Sequence, residues 1–156
     1  MPSSTRAALY FAYGSNMSSA RLVARVGDVE SRGAARLPEH QHRFSKLGTD
    51  GTGKGNVEPV PREVVHGALY SLLPPQIARL AQFETGYRMV ELDVWHRDTL
   101  SRVVTFVALR PVEPLRPSDE YLAHYRRGMA EHELPDDYVR HVLASAALGQ
   151  PTRTPR

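Results

Sequence analysis

The sequence predicts an α+β fold: a small, largely antiparallel closed sheet or barrel of about five to six strands with flanking helices. Three observations carry this. An alternating apolar run at residues 8–13 breaks into Gly14-Ser15-Asn16 and then a helix. Further strand-like segments at 64–73, 89–96 and 102–110 follow one another through short links, which favour antiparallel neighbours. Two helix patterns close the chain after a proline-rich crossing.

In the first strand Leu9, Phe11 and Tyr13 share one face, and Ala8, Tyr10 and Ala12 the other. Ser18 or Ser19 caps the helix that follows, which carries Ala20, Leu22, Val23 and Val26 and stops at Gly27. Residues 35–47 alternate as a second strand, and Gly48 to Gly55 reads as a loop. In the strand at 64–73, Gly67 suggests a bulge or a close backbone approach. Pro74-Pro75 ends that strand and starts a helix. The strands at 89–96 and 102–110 form a hairpin through Asp98 and Thr99. Beyond the link at 111–117, Ser118 caps a helix with Asp119 and Glu120 in its first turn. Leu134-Pro135 opens another, striped by Tyr138, Val139, Val142, Leu143 and Ala146 and closed by Gly149. Residues 150–156 are expected to be disordered, with an ordered core at about 7–149.

A length of 156 residues with 41% hydrophobic content suits one domain over 1–156. No apolar run reaches the roughly 18 residues of a membrane span, and no basic-then-apolar leader is seen. A soluble, cytoplasmic protein is expected. The absence of cysteine excludes thiolate nucleophiles and zinc–thiolate sites. The net charge of +3 comes from scattered arginines, with only Lys46 and Lys54 besides. A dispersed positive surface without a basic cluster speaks against nucleic acid, while a mild positive field favours small acidic substrates.

Several apparent motifs fail on chemistry. Gly48 to Gly55 nearly spells a phosphate-binding loop, but Gly55 stands where a Ser or Thr must ligate Mg²⁺, and Pro59 and Pro61 forbid the required helix. His40 and His42 lack a third ligand at a recognisable spacing, so no metal is expected. Ser15 lies in Gly-Ser-Asn, unlike the Gly-x-Ser-x-Gly elbow that exposes a nucleophile.

Two features point to chemistry. The Gly14-Ser15-Asn16 turn offers backbone N–H groups at a helix start to a carboxylate, phosphate or oxyanion, although any α+β protein needs such turns. In the helix after Pro74-Pro75, Ile77, Leu80, Ala81 and Glu84 fall on one stripe, so an acid occupies a core-facing position. Either burial raises its pKa toward that of a general acid/base, or it faces water or pairs with an arginine such as Arg88.

Tyr10 to Met17, Phe83-Glu84-Thr85-Gly86-Tyr87 and Pro117-Ser118-Asp119-Glu120-Tyr121 together resemble the γ-glutamylcyclotransferase family over about residues 8–148. The resemblance implies a six-stranded barrel or closed sheet, and a substrate-binding turn made by Tyr10, Phe11, Ala12, Tyr13, Gly14, Ser15 and Asn16. It further implies Glu84 as the catalytic acid/base, substrate contacts from Tyr121 and Tyr87, no cofactor, and a monomer or homodimer. The chain departs from the common Glu-Gly by having Glu84-Thr85-Gly86. The implied reaction converts a γ-glutamyl amide to 5-oxoproline and a free amine, as in glutathione metabolism. A tailoring enzyme removing a γ-glutamyl protecting group, and a noncatalytic anion-binding module, are the competing readings.

Overall fold

Strand β1 (Ala8–Ala12) pairs antiparallel with β3 (Gly53–Leu72) on one side and parallel with β5 (Thr99–Ala108) on the other, at Tyr10 opposite Val104. β3 continues to β2 (Glu30–Leu47), which meets β4 (Tyr87–His96), and β4 pairs with β5. The order β1-β3-β2-β4-β5 closes a five-stranded mixed barrel, one strand fewer than the resemblance implied. This computed structural model describes residues 6–151. Around the barrel lie α1 (Ser19–Val26), α2 (Pro74–Phe83), α3 (Asp119–Glu131) and α4 (Asp136–Leu148).

Strand alternation divides the core in two. Phe11, Leu37, Val65, Leu69, Val94 and Val103, all from strands, pack into one cluster. Tyr10, Ala12, Tyr70 and Phe106, from the opposite strand faces, pack with Leu22, Leu80, Tyr125, Met129 and Val142 of the helices. Burial of each large apolar side chain contributes roughly 1.5–3 kcal/mol before entropy is counted. Gly67 is a close approach: a Cβ there would lie 2.4 Å from the Ala12 carbonyl oxygen.

Two strands run far longer than their alternation indicated. β2 begins at Glu30 instead of 35, and β3 begins at Gly53 and carries Pro59 and Pro61 through to Leu72. The prolines fit because β2 and β3 extend together as a ribbon, with irregular register between Pro38 and His40. There Glu39 and Arg62 both have positive φ (61° and 68°), and the Arg62 amide donates to Glu39 Oε2 at 3.0 Å. The expected loop at 48–55 therefore shrinks to a turn between Leu47 and Gly53. The β4–β5 hairpin turns through Arg97 and Asp98, with Arg97 at φ 56°, because His96 and Thr99 are already paired.

The helix starts match their caps. Ser18 Oγ accepts from the Arg21 amide at 3.4 Å, and Ser118 Oγ from the Tyr121 amide at 3.1 Å. Gln76 Oε1 accepts from the Leu73 amide at 2.9 Å, while its Nε2 donates to the carbonyls of Val26 and Asp28 and ties α2 to the end of α1. Disorder expected from residue 150 is corrected at Gln150. Its amide donates to Pro114 O at 2.9 Å, and its carbonyl accepts from Arg116 N at 2.8 Å, so backbone bonds hold it beside Leu115. The rest of that expected tail, 152–156, lies outside the described residues. No helix among the described residues is long and apolar enough to cross a membrane.

Candidate active site

After Ala12 the chain leaves the barrel through Tyr13 and Gly14 into one turn of 3-10 helix, Ser15–Met17, and then α1. The Met17 amide donates to Gly14 O at 3.0 Å and the Ser18 amide to Ser15 O at 3.2 Å. The turn is buried and clamped from both sides. Tyr70 Oη donates to Met17 O at 2.7 Å, and α3 presses so close at Gly128 that a Cβ there would meet the Ser18 nitrogen at 2.6 Å. Such clamping holds the turn amides in fixed directions, as recognition of a small anion requires.

Glu84 stands one residue beyond α2, as its C-cap (φ −93°, ψ 51°), and not on the helix stripe itself. Its amide donates to Leu80 O and Ala81 O, and its side chain is only 15% exposed. Oε1 accepts from Asn16 Nδ2 at 3.1 Å and lies 3.7 Å from Arg25 Nη1. One alternative from the sequence paired Glu84 with a nearby arginine such as Arg88; the arginine the fold supplies is Arg25 of α1. Burial raises the Glu84 pKa above the ordinary carboxylate value, against the opposing pull of Arg25, Asn16, Arg21 and Lys46.

Asn16 joins three groups. Its Nδ2 also donates to Tyr10 Oη at 3.1 Å, and its Oδ1 accepts from Arg25 Nη1 at 3.4 Å. Arg25 in turn lies over the Phe83 ring, 5.1 Å from its centroid. Arg21 Nε donates to Ser15 Oγ at 2.9 Å, which turns that hydroxyl toward structure and away from a nucleophile's role.

These groups line a cavity of about 250 Å³. Of the residues expected in the site, Tyr10, Tyr13, Gly14, Ser15, Asn16, Glu84, Tyr87 and Tyr121 all border it. Phe11 and Ala12 do not. The strand alternation sends Phe11 into the cluster of strand side chains and Ala12 beneath the helices. The lining also includes Arg21, Arg25, Lys46, Lys54, Phe83, Thr85 and Phe106, none of which was expected from the sequence. Arg21 and Arg25 stand four apart on α1, a spacing that does mark a shared face. Lys46 and Lys54 carried no such local signal.

A tyrosine cradle surrounds Gly55. Tyr121 Oη accepts from the Gly55 amide at 3.0 Å, and Tyr87 Oη donates to its carbonyl at 2.7 Å. Burial keeps both phenols protonated by raising their pKa. Behind them His42 Nε2 and Tyr125 Oη share a hydrogen bond of 2.6 Å, and burial pushes the imidazole pKa down to about 3. His40 Nδ1 is bonded to Pro38 O at 2.8 Å, so the two histidines belong to different local networks. Among the described residues no three His, Asp or Glu side chains gather as a metal site would need.

A family model described as gamma-glutamyl cyclotransferase, AIG2-like, matches residues 10–127, a span that contains every residue lining the cavity. The chain belongs to that family. Solved structures agree on the fold. A human protein called loc79017 has 21% identity and a TM-score of 0.82 over 97% of this chain and 92% of its own. A protein named gamma-glutamyl cyclotransferase has 21% identity and a TM-score of 0.82, over 96% of this chain and 92% of its own. YkqA of Bacillus subtilis has 20% identity and a TM-score of 0.81, over 93% of this chain and 56% of its own. No curated protein is similar enough in sequence to count as a relative. Within the gamma-glutamyl cyclotransferase, AIG2-like family, then, this chain contributes a cavity with one carboxylate, several cations and a clamped turn.

Proposed function

We propose that the chain is a γ-glutamylcyclotransferase, which cyclises a γ-glutamyl amide to 5-oxoproline and releases the amine. The observation that carries this reading is the part-buried carboxylate of Glu84, the one acid lining the cavity among the described residues, bonded to Asn16 of the turn and with its pKa raised by desolvation. The substrate brings its own nucleophile, the α-amine, so an acid/base and an anion-holding turn are the two elements the reaction asks of the protein.

Glu84 as carboxylate takes a proton from the α-ammonium, and the freed amine attacks the γ-carbonyl carbon. The tetrahedral intermediate collapses as the C–N bond to the leaving amine breaks, and Glu84 delivers its proton to that nitrogen. The second α-amino proton departs as the lactam N–H forms and is taken up by the released amine in water. Amides of Gly14, Ser15 and Asn16 stabilise the oxyanion or hold the α-carboxylate, a contribution often near ~3 kcal/mol per donor. Folding the flexible glutamyl chain within 250 Å³ brings amine and carbonyl toward attack distance.

The test is release of 5-oxoproline from γ-glutamyl amino acids, γ-glutamyl amines and glutathione. Release from at least one class is expected, and none from any of them overturns the reading.

A further inference from the structure

Two arginines line the cavity, and they are held in different ways. Arg25 lies 3.7 Å from Glu84 Oε1, whereas Arg21 forms no ion pair among the described residues. Neutral groups hold Arg21 instead. Its Nε donates to Ser15 Oγ of the turn at 2.9 Å, and its Nη1 lies 3.2 Å from Nε2 of His124 on α3. A guanidinium has no lone pair to offer, so this contact is a hydrogen bond only when His124 Nε2 is bare and the ring proton sits on Nδ1. An imidazolium carries a proton on both nitrogens and finds an acceptor for neither: Nε2 faces a cation, and Nδ1 has no partner among the described residues. The contact is built for the neutral ring.

The surrounding charges act the same way. Arg21 and Arg25 of α1 and Arg127 of α3 oppose a charge on the ring, and Glu120 of α3 favours one. Asp50 and Lys54 border the same small second cavity as His124. Burial, together with the three arginines, holds the imidazole pKa below its usual value. Tied at Nε and Nη1, the Arg21 guanidinium lines the main cavity beside Gly14, Ser15 and Asn16 with its charge uncancelled among the described residues. A carboxylate held by the turn amides would complete that charge. In a γ-glutamyl unit the α-carboxylate is the group that carries a full negative charge.

Resting on the function proposed above, we infer that His124 is a positioning residue: as a neutral imidazole it accepts from Arg21 and aims the guanidinium at the substrate's α-carboxylate in the turn, so that protonation of the ring in mild acid releases Arg21 and weakens substrate binding. The ring touches Arg21 and acts on the substrate through it.

Glu84→Gln removes both turnover and the titration of Glu84, so calorimetric binding of γ-glutamylglycine to that protein reads the binding step by itself. From about pH 7 to pH 5 the ligand keeps its charges, and affinity is expected to fall about fivefold or more as the ring takes up a proton. Adding His124→Gln, whose amide oxygen still accepts from Arg21, keeps affinity at about pH 7 within roughly threefold and flattens its dependence on pH. Adding His124→Met, which offers no such acceptor, weakens binding at about pH 7 by about tenfold. With Glu84 intact, His124→Met raises KM for 5-oxoproline release and leaves kcat within a few-fold, the mark of a lost binding interaction. Nitrogen NMR shifts of the ring at neutral pH show the proton on Nδ1.

A proton on Nε2, affinity that stays flat or rises on acidification, a pH dependence that survives His124→Gln, or undiminished binding in His124→Met each overturns the positioning role. So does failure of the ligand to bind at any pH. Binding that follows the expected pattern with no release of 5-oxoproline supports the role and removes only the proposed reaction. Release of 5-oxoproline with a flat binding profile does the reverse.

Discussion

Asn16 Nδ2 donates to Glu84 Oε1 at 3.1 Å, joining the turn after β1 to the C-cap of α2 across 68 positions of sequence. One bond thereby places the turn after β1 and the one carboxylate that lines the cavity among the described residues in a fixed relation. The first consequence concerns that carboxylate.

Glu84→Gln keeps the shape and an acceptor for Asn16 while removing the proton acceptor. A fall in kcat of about 10²- to 10⁴-fold is expected, the range typical of a lost acid/base. Binding of a γ-glutamyl ligand, read by calorimetry, stays within a few-fold. Turnover near the wild-type rate would remove Glu84 from the mechanism.

Arg25→Met tests the electrostatics. Burial raises the Glu84 pKa and Arg25 opposes that rise. In the proposed mechanism the carboxylate form begins the reaction, so kcat/KM is expected to fall as pH drops through the Glu84 pKa, at a value above that of a free carboxylate. Losing Arg25 lifts that pKa further, so the acid limb of the pH profile moves to higher pH. An unmoved limb, or one displaced to lower pH, assigns it to another group.

His42 supplies a stability test away from the cavity. Its folded pKa of about 3 lies below the unfolded value of about 6.5, so the unfolded chain binds the extra proton. Stability is therefore full above pH 6.5 and declines as pH falls toward 3, by at most about 1.4 kcal/mol per pH unit from this group. His42→Gln, whose amide can still bond Tyr125, lacks that component. Denaturant unfolding at pH 7, 5 and 4 should show a shallower decline for the variant, and parallel declines would contradict the assignment.

Gly55→Ala addresses the tyrosine cradle. The added methyl would lie 2.2 Å from Tyr125 Oη and 3.2 Å from His42 Nε2. Displacing these packed rings should cost about 1–3 kcal/mol. A drop in Tm of about 2–4 °C per kcal/mol follows for a chain of this size. An unchanged Tm would mean that the cradle yields freely.

Much of the fold was legible because its signals are local. Alternation at residues 8–13 and 89–96, the caps Ser18 and Ser118, and proline at the start of α2 act within a turn or two of chain. The ribbon of β2 and β3 was not, since it runs past the prolines through pairs on either side of an irregularity, Pro38 with Val64 and His40 with Pro59, while Glu39 and residues 60–63 are left unpaired between them. Glu84 was singled out for lying on the stripe of α2, yet the helix ends at Phe83. The residue was well chosen for an incomplete reason: its burial comes from α1 and the turn folding over it.

By itself the sequence determined the α+β class, the turn at 14–16 and the candidate acid, because strand period, helix caps and glycine breaks are properties of neighbouring residues. Only the tertiary structure decided that Arg25 faces Glu84, that Phe11 and Ala12 turn away from the cavity, and that two isolated lysines meet across a ribbon. Those facts depend on barrel closure, helix packing and strand register, which bring distant side chains together through space, where charges and hydrogen bonds act.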